Sequence, residues 1–360
     1  MSIQSIHHIT TVSSNMQRTV DFYTGMLGFR LVKKTVTFDS PHHYHLYFGD
    51  EHGRPSTLVS VIENPDAAHG HPGIGGTHHF AFIVETGEAQ LKWKRLLTDA
   101  GISVIGPYNR VYFRSIYFHD PDGTILEIAT RQPGFAVDEP VETLGQAFCP
   151  PPFECMDGHR DEAAIAALTW PEPVPGITPN MRLPGMHHIT AIGSDIQRTT
   201  DFYTGLLDLP LVKRTANFDD PKSPHYYYAL RLGEPGSIIT YFERDPVRQG
   251  PVQPGAGQTH HFALNVADPQ ELPEWRERLL SAGQPVSAVQ DFKYYQAIQF
   301  KDPFGHMIEL AGSAAESPGF SLDEDPADLG LHLMLPEQLE GQREQIESQL
   351  SPLNVPFRVA

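Results

Sequence analysis

The sequence predicts an α+β fold of four βαβββ units, arranged as two duplicated halves. The first observation is a long repeat, because residues 17–25 recur almost unchanged as residues 197–205. The second is the order of elements, in which a strand, a helix and three strands follow one another twice in each half. The third is a histidine pair at the start of each unit, at residues 7–8, 78–79, 187–188 and 260–261.

The first unit opens with a strand over residues 6–12 and a helix over residues 16–27, which Ser14 or Asn15 is placed to cap. The apolar residues of this helix recur on one side: Met16, Val20, Tyr23 and Leu27. Three strands follow, separated by turn-forming residues, at about 29–37, 43–49 and 56–62.

The second unit repeats this order after a glycine-rich link. It comprises a strand at 77–84, a helix at 87–99, and strands near 103–107, 111–119 and 124–130. The second half of the chain repeats both units and ends in a strand at 306–310.

Short tails after each half also repeat, since residues 133–139 resemble residues 318–324. Short helices are expected near 160–169 and 338–350, and a proline-rich linker covers 171–184. We therefore divide the chain into a first half, a linker with a short helix, a second half and a C-terminal tail with a short helix: 1–150, 151–184, 185–330 and 331–360.

Composition excludes several classes of partner. The formal net charge of −18, without a basic stripe, argues against nucleic acid and anionic membrane surfaces. Neither a signal-peptide pattern nor a long apolar run occurs. The two cysteines, Cys149 and Cys155, match no disulfide framework and no zinc pattern. A soluble, cytoplasmic protein is expected, and the sequence leaves open whether it forms a homodimer.

The histidine pairs are candidates for a shared chemical use. In a strand His78 and His79 point to opposite faces, so each pair offers one imidazole per face. One such pair is commonly a strand histidine bonded to a backbone carbonyl. Four pairs at matched positions favour a common function, because burying an unpaired polar ring is costly.

Two carboxylates, Glu127 and Glu309, lie within otherwise apolar strands and need partners. A salt bridge is the plain alternative, but no lysine or arginine recurs nearby with the repeat. Two imidazoles and one carboxylate on a sheet form a facial triad with open positions, which suits Fe(II) and O2. The same ligands could hold Mn(II), Zn(II) or Ni(II), so they leave the metal undecided.

Nearly the whole chain resembles the vicinal oxygen chelate superfamily, which includes glyoxalases, bleomycin resistance proteins and extradiol dioxygenases. The paired βαβββ units, the His-His-Ile-Thr openings and the glutamate in the last strand carry this resemblance. Three motifs are most similar to ring-cleaving dioxygenases that act on hydroquinones: residues 31–35, 44–50 and 113–118.

The resemblance implies a ligand set that crosses the two halves, His8, His261 and Glu309. The duplication adds a second set, His188, His79 and Glu127. We expect both to bind metal. An arrangement within one half, such as His8 with His79 and Glu127, would use the same six residues differently.

The resemblance also implies residues that support the ligands. The non-ligand histidines are candidates for general acid and base, Tyr117 for a hydrogen bond to bound oxygens, and Arg110 for stabilising negative charge. Around the Glu127 set they are His78, Arg110, Tyr117, His187 and Thr190. Around the Glu309 set they are His7, Thr10 and His260, with Phe292 and Gln299 where arginine and tyrosine are expected. We therefore expect the Glu127 set to be the more active, unless Lys293 replaces the missing arginine. In the plain alternative, Tyr117 is a packed aromatic and Arg110 a solvated charge.

The implied activity is oxygen-dependent cleavage of a small hydroquinone or catechol, in which the metal orients both reactants. A glyoxalase-type isomerase or lyase on the same fold is the main alternative. A metal-free protein that binds an aromatic compound is another, although it would need none of the six candidate ligands.

Overall fold

The computed structural model of the chain describes residues 1–314, 317 and 319–356. Strands of the first half, β1 to β8, are Ile3–Ser13, Arg30–Val36, Tyr44–Gly49, Leu58–Glu63, Thr77–Val84, Ile105–Asn109, Arg114–His119 and Ile125–Thr130. Its helices are α1 at Met16–Val20, which continues as a π-helix over Asp21–Met26, and α2 at Gly87–Asp99. This is the predicted order of two βαβββ units.

The second half repeats the order. Its strands, β9 to β16, are Met186–Gly193, Leu211–Asn217, Asp220–Tyr228, Ile238–Glu243, Thr259–Val266, Gln290–Asp291, Gln296–Lys301 and Met307–Gly312. Helix α3, Glu162–Ala167, precedes these strands; α4 at Ile196–Thr200 continues as a π-helix over Asp201–Leu206; α5 is Leu272–Ser281, and α6 is Arg343–Gln349. Short 3-10 helices occupy Phe135–Val137, Val141–Thr143, Phe153–Cys155, Pro179–Met181, Pro269–Glu271, Gly319–Leu322 and Glu337–Gln342.

In the described part of the chain, the strands form two eight-stranded sheets, and each sheet combines one unit from each half. The first has the order β14-β15-β16-β13-β1-β4-β3-β2, and the second β10-β11-β12-β9-β5-β8-β7-β6. The halves join where β1 runs antiparallel to β13, and β5 to β9. The α+β prediction is confirmed, and the first unit shares its sheet with the fourth rather than with the second.

Local details differ from the predictions for physical reasons. The predicted helix at 16–27 buries Met16, Val20, Tyr23 and Leu27 as expected, but it changes from α to π at Asp21. Asn15 is its cap, because its side chain accepts the Arg18 N–H. The predicted strand 111–119 starts only at Arg114. Val111 adopts a φ of 69°, which turns the chain between β6 and β7.

The repeated tails fasten each half to the other. Lys213 on β10 is fully buried and binds Asp138 and Glu139 of the first tail. Lys33 on β2 binds Asp323 and Glu324 of the second. Pro318, which belongs to the second tail motif, and the last four residues lie outside the described residues. The domain boundaries stay predictions.

The interior is aromatic and closely packed. Trp93 of α2 and Trp275 of α5 are fully buried at equivalent positions, and Trp93 donates a hydrogen bond to the Met181 carbonyl in the linker. Among the described residues, no helix is long and apolar enough to cross a membrane.

Candidate metal centres

The strand register brings the predicted ligands of the first set together. His8 on β1 lies opposite Ala263 on β13, which in turn lies beside Glu309 on β16. His261 precedes Ala263 by two residues and therefore faces the same side of the sheet. Because Ala263 has only a methyl group, the three larger side chains converge above it. We call His8, His261 and Glu309 the first centre.

Distances in the first centre suit a divalent cation. The Nε2 atoms of His8 and His261 are 3.1 Å apart, and they lie 3.7 and 3.5 Å from the nearest Glu309 carboxylate oxygens. Neighbouring ligands about 2.1 Å from one metal ion are separated by about 3 Å. The Oε2 atom of Glu309 is buried without a hydrogen-bond partner among the described residues. A cation would satisfy this oxygen.

The second centre, His79, His188 and Glu127, is built in the same way around Ala81. Its imidazole Nε2 atoms are 3.3 Å apart, and they lie 2.9 and 3.4 Å from Glu127 Oε2. Glu127 is fully buried, and its Oε1 atom has no hydrogen-bond partner in the described part of the chain. The donor atoms fit the same class of cation as those of the first centre.

Each candidate ligand histidine is contacted by the histidine before it. The Nδ1 atoms of the two rings in a pair are 2.8 to 2.9 Å apart in all four pairs. Since Nδ1 is used in this contact, Nε2 of the second histidine remains free for a metal. The contacting residues are His7, His78, His187 and His260.

Threonines complete the matching surroundings. Thr10 Oγ1 lies 3.0 Å from His261 Nε2, and Thr190 Oγ1 lies 3.0 Å from His79 Nε2. Thr10 also bonds Ser60 Oγ at 2.6 Å. Both threonines are fully buried, so their hydroxyl groups are fixed beside the candidate ligands.

Burial keeps His7, His8 and His261 neutral, the form that binds metals. It lowers the pKa of His7 to about 4 and holds the pKa of His8 and of His261 well below the usual range. The carboxyl groups differ. Burial raises the pKa of Glu309 to about 7. Burial also acts to raise the pKa of Glu127, but the nearby imidazoles of the second centre outweigh this effect and hold that pKa well below normal.

A large cavity opens onto the first centre. Its volume is about 1130 Å³, and His261 and Glu309 lie in its wall. The exposed side chain of His260 also lines it. Aromatic and polar residues form much of the remaining wall: His45, Tyr47, Phe292, Tyr294, Tyr295 and Gln299. The space beside the second centre is only about 30 Å³.

Arg110 and Tyr117 lie at the second centre, as predicted. Tyr117 is opposite Glu127 in the strand register, and its ring centroid is 5.5 Å from that of His79. Arg110 Nη2 lies 3.5 Å from the Tyr117 hydroxyl and 3.0 Å from Asp219 Oδ2. Its guanidinium is therefore already engaged by a carboxylate.

At the first centre the substituted positions are also as predicted. Gln299 lies opposite Glu309 and donates a hydrogen bond of 2.5 Å to Oε1. Lys293 does not replace the arginine, because its Nζ atom pairs with Asp323 at 2.5 Å. The structure brings both predicted sets and their supporting residues together, and their roles stay predictions. The ligand arrangement within one half is wrong, because the register separates His8 from His79 and Glu127.

Sequence reasoning missed several residues at the centres. His45 bonds Ser60 at 3.1 Å, and the Tyr295 ring packs 5.5 Å from that of His8. Tyr295 and Tyr47 thus bring phenol groups to the first centre, although position 299 has none. A signal was present for two of these residues, because His45 and Tyr47 recur 180 residues later as His225 and Tyr227.

The fold and the paired centres define a protein of duplicated βαβββ units with two candidate metal sites. Residues 5–128 and 185–310 match the model of the Glyoxalase/Bleomycin resistance protein/Dioxygenase superfamily. The chain belongs to this superfamily, as the resemblance implied.

Several similar proteins cover nearly the whole chain. MhqO of Bacillus subtilis (strain 168), whose name assigns it provisionally to the ring-cleaving dioxygenases, is 31% identical over 97% of this chain and 96% of its own length. The chlorohydroquinone/hydroquinone 1,2-dioxygenase of Sphingobium indicum is 26% identical over 96% of this chain and 95% of its own. A crystal structure of a provisionally assigned dioxygenase from Bacillus subtilis has a TM-score of 0.78 at 29% identity and covers 99% of both chains.

Proposed function

We propose that this chain is a metal-dependent ring-cleaving dioxygenase that opens a small hydroquinone or catechol with O2 at the first centre. The observation that carries the proposal is the position of His261 and Glu309 in the wall of the large cavity, which has room for an aromatic ring beside the ligands. From the sequence alone, the presence of Arg110 and Tyr117 predicts that the second centre is the more active one. The space of about 30 Å³ beside that centre argues against it, so we replace that expectation.

The relatives support the reaction class. The Sphingobium protein is named for chlorohydroquinone and hydroquinone, and it matches this chain along almost its full length. We infer Fe(II) as the metal, because two imidazoles and one carboxylate leave positions open for two reactants. A bound Fe(II) would supply Lewis acidity toward a substrate hydroxyl and electrons for O2. Mn(II), Zn(II) and Ni(II) fit the same donor atoms.

His260 is the candidate base of the first centre. It is exposed at the cavity wall, and its Nδ1 atom contacts His261. Only its Nε2 atom is therefore left to take a proton from a substrate hydroxyl. His45 is less suited, because burial lowers its pKa to about 3 and Ser60 contacts its Nε2 atom.

Aromatic side chains would position the substrate ring. Phe292 and Tyr295 stack with centroids 5.1 Å apart and form part of the cavity wall. An aromatic substrate gains contact area on such a surface at little entropic cost. The hydroxyl groups of Tyr47 and Tyr295 are candidate donors to oxygen atoms near the ligands. Burial raises the pKa of Tyr47, so it remains a neutral donor at pH 7.

Oxygen consumption with defined metals tests the proposal. Metal-free protein would be loaded under argon with Fe(II), Mn(II), Zn(II) or Ni(II), mixed with a panel of hydroquinones and catechols, and then exposed to isotopically labelled O2. We expect one O2 to be consumed per ring opened and both labelled atoms to appear in the product. Metal-free protein is the control and should consume none.

Other outcomes select another function. Conversion of a hemithioacetal without oxygen uptake would replace the proposal with a glyoxalase-type isomerase. Tight binding of an aromatic compound by metal-free protein, without turnover under any loading, would indicate a binding protein.

We also infer a cytoplasmic enzyme whose partners are a small aromatic substrate and O2. The net charge of −18 does not suit nucleic acid or an anionic membrane surface. Cys149 and Cys155 are free thiols, which suits a reducing compartment. A homodimer stays a prediction.

A further inference from the structure

Equivalent hairpins lie beside the two metal centres, and they differ in conformation. In the second half, β10 and β11 join through a turn at residues 218–219, and Phe218 is only 2% exposed. In the first half, a longer loop joins β2 to β3, and Phe38 is 61% exposed. Phe38 and Phe218 correspond, since the same 180 residues separate them as separate the opening histidine pairs. The second hairpin is folded over its centre.

Three charged residues hold the second hairpin in place. Asp219 accepts from Arg110 Nη2 at 3.0 Å and from Arg160 Nη1 at 2.6 Å. The side chains of Arg110 and Arg160 are only 10% and 9% exposed. The Arg160 guanidinium also lies 4.0 Å from the centre of the Tyr108 ring. We call Arg110, Asp219 and Arg160 the latch, because they join the turn after β6, the hairpin and the connector before α3.

The closed hairpin leaves no room for an aromatic ring at the second centre. Phe218 and Asp219 line the space of about 30 Å³ beside His79 and His188. This volume corresponds to about one water molecule, whereas an engineered cavity of about 150 Å³ binds benzene. A dihydroxybenzene is larger than benzene, so it does not fit while the latch is closed.

The first centre lacks the latch, and one of the differences is at the position of Arg110. Phe292 occupies the position of Arg110. Asp39 corresponds to Asp219 but, in the part of the chain that the structure describes, has no ion pair like those of Asp219 with Arg110 and Arg160. Asp39 is exposed, and its loop lines the cavity of about 1130 Å³. The open loop and the missing arginine therefore occur together.

We propose that the latch makes the second centre a closed metal site, inaccessible to organic substrates, and that the residue at position 110 or 292 decides which centre is open. An ion held by His79, Glu127 and His188 would join the first half to the second and so stabilise the sheet. The proposal deepens the proposed function by assigning substrate access to one centre. It does not depend on ring cleavage, because binding can be measured without turnover.

Single-centre variants test the closed site. Glu309→Ala leaves the second centre as the complete ligand set, and Glu127→Ala leaves the first. Each variant would be loaded with Fe(II) under argon, so that the absence of O2 prevents turnover. It would then be titrated with 4-nitrocatechol, which changes colour when its oxygens bind a metal. We expect both variants to retain metal. The spectral change should occur in Glu127→Ala and require at least about tenfold more 4-nitrocatechol in Glu309→Ala.

Exchanging the latch residue supplies the matched comparison. Arg110→Phe in the Glu309→Ala background should open the second centre to 4-nitrocatechol, and Phe292→Arg in the Glu127→Ala background should weaken binding at the first by at least about tenfold. Asp219→Asn gives an independent opening variant if Arg110→Phe does not fold. Melting temperatures with and without Fe(II) report folding and metal stabilisation separately from 4-nitrocatechol binding.

Three results would overturn the inference. Equal 4-nitrocatechol affinity in Glu309→Ala and Glu127→Ala would show that the latch does not restrict access. Loss of all bound iron in Glu309→Ala would show that the second centre is not a metal site. Unchanged affinity in both folded exchange variants would remove positions 110 and 292 as the determinants. None of these results bears on ring cleavage itself, which is measured separately with O2.

Discussion

Ala263 shows how a small residue makes the first centre possible. It stands between His8 and Glu309 across three adjacent strands, and Ala81 has the same place between His188 and Glu127. Opposite residues on neighbouring strands have Cβ atoms about 5 Å apart, so a large side chain at this position would separate the ligands. The alanine is therefore as much a part of each centre as the histidines before it.

Sequence reasoning reached most residues of the centres, because the duplication marked them. The six candidate ligands recur at fixed displacements within conspicuous motifs. Tyr295 was missed because its counterpart is Phe113, so no repeat marked the hydroxyl group. The pairing of Arg110 with Asp219 was missed because 109 residues separate them and nothing local connects the two.

Asp120 carries a pH-dependent contribution to stability. Its carboxylate accepts two backbone N–H groups and the Tyr23 hydroxyl, yet burial raises its pKa to about 6 from the usual 3.8. Because the folded pKa exceeds the unfolded one, the favourable contribution is complete below pH 3.8 and is lost as the pH rises through about 6. A shift of about two pKa units corresponds to about 3 kcal/mol.

The nearly isosteric Asp120→Asn variant lacks this titration. Between about pH 4 and pH 7, its free energy of unfolding should rise by about 3 kcal/mol relative to that of the unsubstituted protein. Urea unfolding of the metal-free forms at several pH values measures the difference. A difference that stays constant with pH would refute the assignment to Asp120.

At the scale of elements, the type and order of the helices and strands were predictable from the sequence, but the pairing of strands between units was not. Strand β5 and helix α2 have the predicted bounds, because a continuous apolar run after the histidine pair and the Thr86 cap define them locally. The start of β7 was misplaced because the left-handed Val111 gives no signal in residue type. Which units share a sheet was not readable, since duplicated strands offer equivalent partners within a half and across halves.

The buried lysines make a testable contribution between elements. Lys213 is fully buried against Asp138 and Glu139, and Glu139 is itself buried. Lys213→Met should cost about 3–5 kcal/mol of unfolding free energy, because it leaves an uncompensated buried carboxylate. Denaturant unfolding measures the loss.

Lys213→Met combined with Glu139→Gln is the matched control for this ion pair. The double variant should recover part of the stability, since it leaves less uncompensated charge. A single variant as stable as the unsubstituted chain would contradict the role of this ion pair.

At the scale of the whole molecule, metal should act as a cross-link between halves. Each centre takes ligands from both halves, so an ion binds the folded arrangement and not the separated strands. Metal present at about 100 times its dissociation constant stabilises a single-site protein by about 2.7 kcal/mol.

A chelator should therefore lower the melting temperature. The double variant Glu127→Ala, Glu309→Ala serves as the control, and its melting temperature should not respond to metal or chelator. A double variant that responds as strongly as the unsubstituted chain would place the stabilising metal elsewhere.

The unequal access to the two centres is also a property of the whole molecule. At the second centre, the hairpin between β10 and β11 meets the connector that carries Arg160 and the turn that carries Arg110. At the first centre, the equivalent loop between β2 and β3 lies open. Local sequence patterns report the ligands of both centres equally. They do not report which cavity remains open, because that follows from contacts between distant segments.

The most direct test of the central claim compares the rate of ring cleavage in Glu309→Ala and Glu127→Ala after anaerobic loading with Fe(II). Bound iron would be measured per chain, so that rates refer to occupied centres. We predict that Glu309→Ala lowers cleavage at least about 100-fold, as expected when a metal ligand or its support is lost, while Glu127→Ala keeps most of the rate per bound iron. Full activity in Glu309→Ala with loss of activity in Glu127→Ala would contradict the account and assign catalysis to the second centre.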